Sequence, residues 1–406
     1  MTAKHTRAVP SSAPVSRIWN RQFICIFLAN AMLYLGLYMV QTLVTKYAGT
    51  LGATERQIGL VASAFAVTAL LIKTVSGTII DSFRKESVLR FALIFMIIAF
   101  AGYSISYSVE AIIAFRLFQG IAQAFTAACY LSLATEFLPA DKFGAGIGIF
   151  TLAQAASQAV APAIGLWIER MSSLRVTFLC ASIVLALSFF MTFSVRTAPP
   201  AQRKKLSLAP WNIVAREALL PGILQALLVC CNSLINSHLV LYATQLGVEN
   251  IGYYFTVYAG SLLITRPLLG RLSDRLGSGR VLAPAMLCFA GSFYLISVAR
   301  SLPVFLLAGV VGAFGFGAAS PVINTLCVKS VTPERRGLAS TTSYIGFDLG
   351  NLIGPMLASQ IITAGGYTSM WRVMPVTIFC ALAILLIFRR RFARIDADFA
   401  ARAKSN

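Results

Sequence analysis

The sequence predicts an all-α membrane protein of twelve transmembrane helices, arranged as two pseudo-symmetric six-helix bundles. Three observations predict it: a charge-poor apolar composition, apolar stretches of about 20 residues that recur along the chain, and a repeat that lays one half on the other. Of the 406 residues, 58% are hydrophobic and 12% charged, and the mean hydropathy is +0.78. A soluble domain devotes about a quarter of its residues to Asp, Glu, Lys and Arg. This chain has too few to cover a soluble surface, whereas helices satisfy their own backbone groups in hydrocarbon.

Read in order, the apolar windows fall at about 23–47, 58–80, 89–107, 111–138, 144–167 and 174–195, then at about 219–242, 251–273, 281–299, 303–331, 337–364 and 371–388. They divide the chain into a tail (1–22), a first bundle (23–195), a linker (196–218), a second bundle (219–388) and a tail (389–406). The linker, RTAPPAQRKKLSLAPWNIVARE over 196–217, is basic and holds prolines that end helices. No cleavable signal segment is expected in the polar first 20 residues.

The formal net charge of +20 is a topology signal. Of the 34 Lys and Arg, 25 fall on the side of the two termini and 6 on the other, with Lys73, Arg116 and Arg266 inside spans. By the positive-inside rule both termini are expected in the cytoplasm, the chain in a cell inner membrane, and anionic lipid headgroups rather than nucleic acid beside the basic residues. The eight cysteines lie inside spans without metal-ligand spacing, so neither a metal nor another cofactor is expected. No phosphate-binding loop, His-Glu-x-x-His pair or serine elbow is present, which argues against an enzyme.

A shift of 193 residues places Lys73 on Arg266, Gly77 on Gly270, Asp81 on Asp274, Asp141 on Glu334 and Pro162 on Pro355. Six spans begin and end on one side, so the copies share an orientation and are related by an axis along the membrane normal. Each copy carries a charged glycine motif after its second span: Gly77, Asp81, Arg84 and Lys85 in the first, and Gly270, Asp274, Arg275, Gly277 and Arg280 in the second. Glycine permits close helix approach, and an aspartate can face the positive end of a neighbouring helix, a contact able to form in one arrangement of the halves and break in another. Alternatively, the aspartates are solvated and the arginines only set topology. Lys73 and Arg266, about two turns inside, can snorkel to the basic surface.

In a bilayer, polar side chains need shelter by protein or a wet cavity. Span one carries Asn30, Tyr34, Tyr38 and Gln41 on one face; span four carries Arg116, Gln119, Gln123 and Tyr130. Span seven carries Gln225, Asn232 and Asn236, span ten Asn324, and span eleven Tyr344 and Asp348. These line a central cavity or bond between helices. Asp348 lies about eleven residues into its span, where an unpaired carboxylate costs roughly 2.5–3.5 kcal/mol; Ala155 occupies the equivalent place. It is expected either to exchange a proton as access alternates or to hold a fixed pair. Arg116 has Gly309 as its counterpart, and His238 is expected as a hydrogen-bonded residue near the membrane surface.

With these motifs and this repeat the chain resembles a twelve-helix member of the major facilitator superfamily, most of all its drug and small-molecule:proton antiporters. The resemblance implies a small-molecule substrate bound between the halves, alternating access and a monomer. Arg116-Leu117-Phe118-Gln119-Gly120 is similar to the fourth-span motif of proton-coupled members, which implies proton coupling through Arg116 and an acid such as Asp348. Gly148, Pro162 and Gly165 in span five are similar to a motif of exporters, and Gly350, Gly354 and Pro355 in span eleven repeat its first part. That implies efflux, while a bend or tight helix seal alone also accounts for it. Proton-linked uptake of an organic, possibly anionic, solute is the alternative, and a non-transporting sensor a third.

Overall fold

The computed structural model describes residues 18–139, 143–195, 197, 214–332 and 335–405. Fourteen α-helices are assigned: α1 Arg21–Gln41, α2 Leu43–Thr50, α3 Glu55–Ser82, α4 Lys85–Ile105, α5 Val109–Glu136, α6 Phe143–Met171, α7 Leu174–Met191, α8 Leu219–Gln245, α9 Gly252–Leu276, α10 Ser278–Val298, α11 Leu302–Lys329, α12 Arg336–Val373, α13 Val376–Ile387 and α14 Arg389–Ser405. No strand is found among the described residues. Most of the expected first tail and most of the linker lie outside them.

Local chemistry sets the ends. Thr54 and Gln57 form a reciprocal capping box on α3, and Ser173 caps α7. Asn20 caps α1 and donates to the Phe137 carbonyl at 2.7 Å, tying the start of α1 to the end of α5. Gly277, at φ 86°, turns the chain between α9 and α10, a left-handed conformation that glycine enters without a Cβ clash.

Ten stretches among the described residues are long and apolar enough to cross a membrane. One, Leu338–Ile387, is 50 residues long, more than twice what one crossing needs. It leaves helical conformation at Gly366 (φ 77°, ψ 174°). The expected eighth span corresponds to α9, Gly252–Leu276.

The buried apolar residues separate into two large cores, one running from Phe23 to Val195 and the other from Leu224 to Phe392. Outward-facing side chains are themselves apolar: Leu71, Ile105, Phe190, Ile264 and Tyr294 are each more than half exposed, as a lipid-facing surface requires. The halves meet through α3 against α12 and α6 against α9. At the end away from Arg21 and Lys85, Thr45 Oγ1 donates to the Ser237 carbonyl at 2.7 Å and Thr256 Oγ1 to the Ala159 carbonyl at 3.0 Å. Arg170 donates to Asn250 Oδ1 at 2.7 Å, and the Tyr367 hydroxyl to the Glu55 carboxylate at 3.3 Å.

Candidate functional site

The most informative charge lies where α3 meets α12. Lys73 Nζ is 2.5 Å from Asp348 Oδ2, one residue from each half, and the Tyr344 ring lies 5.7 Å from the same ammonium. Asp348 is 5% exposed, so its carboxylate is sheltered by protein and compensated by a partner. Lys73 therefore turns sideways to an acid; snorkelling to the surface does not describe it. Tyr344, one turn from Asp348, is half exposed.

Arg116 is 2% exposed, and each of its three side-chain nitrogens donates to a neutral acceptor. Its Nε donates to the Val61 carbonyl at 2.7 Å, and its two terminal nitrogens to the Ala62 carbonyl at 3.0 Å and Gln119 Oε1 at 2.9 Å. The guanidinium also lies over the Phe65 ring. Gln119 is consumed by this arrangement, since its Oε1 accepts from the Tyr103 hydroxyl as well. A small cavity beside Arg116 is lined by Gln41, Phe65, Asn236, Ser237 and Asn351, bringing residues of α1, α3, α5, α8 and α12 together.

On α1, Asn30 is buried and the rings of Tyr34 and Tyr38 stack at 6.0 Å. The Tyr34 hydroxyl lies within electrostatic reach of Tyr38, Tyr130 and Tyr344. Gln154 of α6 donates to the Tyr38 hydroxyl at 3.2 Å. Tyr130 instead bonds Ser188 within its own half at 2.5 Å. Gln225 donates to Ser320 Oγ at 2.9 Å, and Asn236 to the Asn232 carbonyl at 3.4 Å. Gln123 Oε1, Gln225 Oε1 and Asn324 Oδ1 are buried without a partner in the structure. The face of α1 and the amide oxygens of Gln123, Gln225 and Asn324, without a partner among the described residues, add polar groups to the interior, while Arg116, Gln119 and Tyr130 are used by the packing of the first half.

Two residues were not legible as site residues. Gln154 and Tyr258 carry no motif, and Gln154 is revealed only by a bond that joins helices distant in sequence; Thr45, by contrast, continues the polar stripe of Asn30, Tyr34, Tyr38 and Gln41. His238 is hydrogen-bonded as expected, with Nδ1 2.7 Å from Ser237 Oγ; it is fully buried, and its Nε2 has no partner among the described residues.

The glycine motifs divide. The side chains of Asp81, Asp274 and Arg275, and the surroundings of Gly270 and Gly148, lie outside the described residues. A Cβ on Gly77 would meet open space, so close approach is not its role here. Arg84 pairs with Glu86 at 2.9 Å and Lys85 with Glu136, both within the first half. Arg280 is exposed. Beside Gly277, Asp396 of α14 accepts from the Ser278 amide at 2.9 Å and from Lys329 Nζ at 3.0 Å. A carboxylate thus does face a helix N-terminus, but it comes from the end of the chain.

The glycine–proline motifs mark close packing. Both α6 and α12 continue through Pro162 and Pro355. A Cβ on Gly350 would lie 2.6 Å from the Ala226 carbonyl, one on Gly354 would strike the Cys230 carbonyl, and one on Gly165 would lie 3.0 Å from the Met39 carbonyl. A separate crevice of about 390 Å³, at the end away from Arg21, opens between α6, α8 and α9 and includes the Lys46–Glu169 pair.

Two buried cores joined by polar contacts across an inner face, with an ion pair between them, describe a membrane transporter fold. The Major Facilitator Superfamily model matches residues 26–254 and 246–402, and the chain belongs to that family. It is 24% identical to the multi-drug resistance efflux pump PmrA of Streptococcus pneumoniae, covering 91% of this chain and 97% of that protein. It is 23% identical to multidrug resistance protein MdtG of Yersinia enterocolitica, over 94% of each, and 22% identical to the staphylopine export protein of Staphylococcus aureus, over 92% and 96%. Among solved structures, the peptide transporter POT in complex with sulfate superimposes with a TM-score of 0.81 at 13% identity, over 95% of this chain and 98% of that one. The nucleoside transporter NupG gives 0.71 at 13% identity, over 92% and 99%.

Proposed function

We propose that the protein is a proton-coupled exporter of a small organic compound, working by alternating access across a cell inner membrane with both termini in the cytoplasm. In this reading the chain crosses twelve times: α9 is a crossing despite its arginines, and Leu338–Ile387 is two crossings that meet at Gly366.

The observation that carries the proposal is the Lys73–Asp348 pair between the halves. A proton taken by Asp348 removes one charge of that link and leaves Lys73 free, so protonation favours a different arrangement of α3 and α12. A proton from outside would promote outward release of substrate, and its loss to the cytoplasm would restore the pair. Coupling requires only that proton and substrate each bind the two arrangements with different affinity. The polar seal at the far end and the half-exposed Tyr344 support an arrangement open toward the termini. Export is supported by two relatives, the efflux pump PmrA and the staphylopine export protein, and a small organic substrate by the multidrug resistance protein MdtG.

Inverted membrane vesicles with an imposed pH gradient test this. With a panel of fluorescent cations, neutral compounds and organic acids, accumulation should run against the proton movement and collapse when the gradient is discharged. Accumulation along the proton movement would replace export by symport. Binding without any accumulation would replace transport by sensing.

A further inference from the structure

Lys73 and Arg266 occupy equivalent places in the two copies, and so do Asp348 and Ala155. In the first place the ammonium of α3 is met across the interface by the carboxylate of α12. In the second, α9 likewise packs across the interface on α6, but α6 offers a methyl group. Arg266 is exposed, and no ion pair among the described residues includes it. It lies within electrostatic reach of the hydroxyls of Tyr38, on the other half, and of Tyr258, two turns earlier on α9. Tyr258 is 3% exposed, and its hydroxyl is buried without a partner. Gln154 approaches from α6 and bonds Tyr38. The place therefore holds a fixed cation, a partnerless hydroxyl and a second hydroxyl, and lacks the anion that its twin contains.

Building on the transport reading, we infer that the substrate carries a carboxylate or similar anionic group, which seats between Arg266, Tyr38 and Tyr258 and completes the second cross-half ion pair. A guanidinium offers a planar fork of donors matched to a carboxylate, and the Tyr258 hydroxyl gains the acceptor it lacks. The bound anion would then link α9 to the first half as Asp348 links α12 to it. Substrate and resident acid would hold the two seams alike.

The test uses the full-length protein in membranes. Thr151 lies one turn from Ala155, at the place equivalent to Tyr344, and is exposed. In a Thr151→Cys variant, modification of the thiol by an anionic sulfonatoethyl and a cationic trimethylammonioethyl methanethiosulfonate is followed by mass spectrometry of its peptide. Rates are normalised to those of a free thiol. The anionic reagent should be favoured roughly tenfold, the lower range of enrichment by a focused potential. That preference should fall to near parity with Arg266→Gln, and with Ala155→Asp, which supplies the missing acid, but survive Arg266→Lys. An unchanged ratio in all variants, or no reaction with either reagent, overturns the site.

A transport arm separates the two readings. Vesicles are given benzoate, hippurate and citrate beside benzamide and benzylamine. Accumulation of the acids, reduced at least tenfold by Arg266→Gln, supports the inference. Accumulation of only the amide or amine, unaffected by Arg266→Gln, overturns the anion site while transport stands. If no probe accumulates, the transport reading fails, and the labelling ratio alone decides the site.

Discussion

Lys73 and Asp348 touch at 2.5 Å although 275 positions separate them in the chain. The contact joins α3 of one half to α12 of the other. Because Asp348 is shielded and Lys73 partly wet, each depends on the other for compensation, and the seam between α3 and α12 is sensitive to either charge.

Asp348→Asn should abolish pH-gradient-driven accumulation while probe binding remains measurable. It should also cost about 1–3 kcal/mol of stability, less than the 3–5 typical of a fully buried broken pair because Lys73 keeps some water. Lys73→Gln added to Asp348→Asn should recover part of that loss in thermal unfolding. Driven accumulation at the unmodified rate in Asp348→Asn would remove the residue from the mechanism.

Arg116→Lys should destabilise the protein by about 1–3 kcal/mol, since one ammonium cannot reach the Val61 and Ala62 carbonyls and Gln119 together. Thermal unfolding in detergent measures it. If Arg116 acts through packing, Arg116→Lys protein that remains folded should keep the proton stoichiometry of transport.

Gly350→Val and Gly354→Val should each reduce folded yield sharply, because the obstructing atoms are backbone carbonyls of α8 that cannot rotate away. Overpacking of this kind costs typically 1–3 kcal/mol, occasionally more. Gly77→Ala, with open space around its Cβ, should be tolerated. Size-exclusion profiles of the three variants make the comparison.

Asp396→Ala should loosen α14 by removing its bonds to Ser278 and Lys329. Loss of a helix cap costs about 0.5–2 kcal/mol. Hydrogen exchange should rise over residues 389–405 and at the start of α10, with the exchange of α1 to α7 unchanged.

The fold was legible wherever hydrophobic content and repetition acted together. The offset that superimposes Pro162 on Pro355 suggested two halves, and the spacing of Asn30, Tyr34, Tyr38 and Gln41 suggested a polar face on α1. Cross-half pairing was not legible. Periodicity orients a residue on its own helix but does not name the helix opposite, so Asp348 was evident as an anomaly and Lys73 was not evident as its partner. Arg116 was found for its charge, yet its acceptors are backbone carbonyls, which every sequence contains. Asp396 was hidden in a stretch read as a cytoplasmic tail, because a basic amphipathic segment gives no sign of what it docks on. The glycines of the motifs looked alike in sequence; only their surroundings distinguish Gly350, pressed on a carbonyl, from Gly77, facing space.

The far-end latch between the halves is built from hydroxyls, an amide, a backbone carbonyl, a guanidinium and a carboxylate, at Thr45, Ser237, Arg170, Asn250, Tyr367 and Glu55. A neutral bond of this kind is worth only about 0.5–1.5 kcal/mol net and one with a charged partner about 1.5–3, because water offers a similar one. An oily latch would have to expose hydrocarbon to part. This one can exchange its partners for solvent as it unzips, so the closed end is hydration-ready, and its parting is a trade between equals.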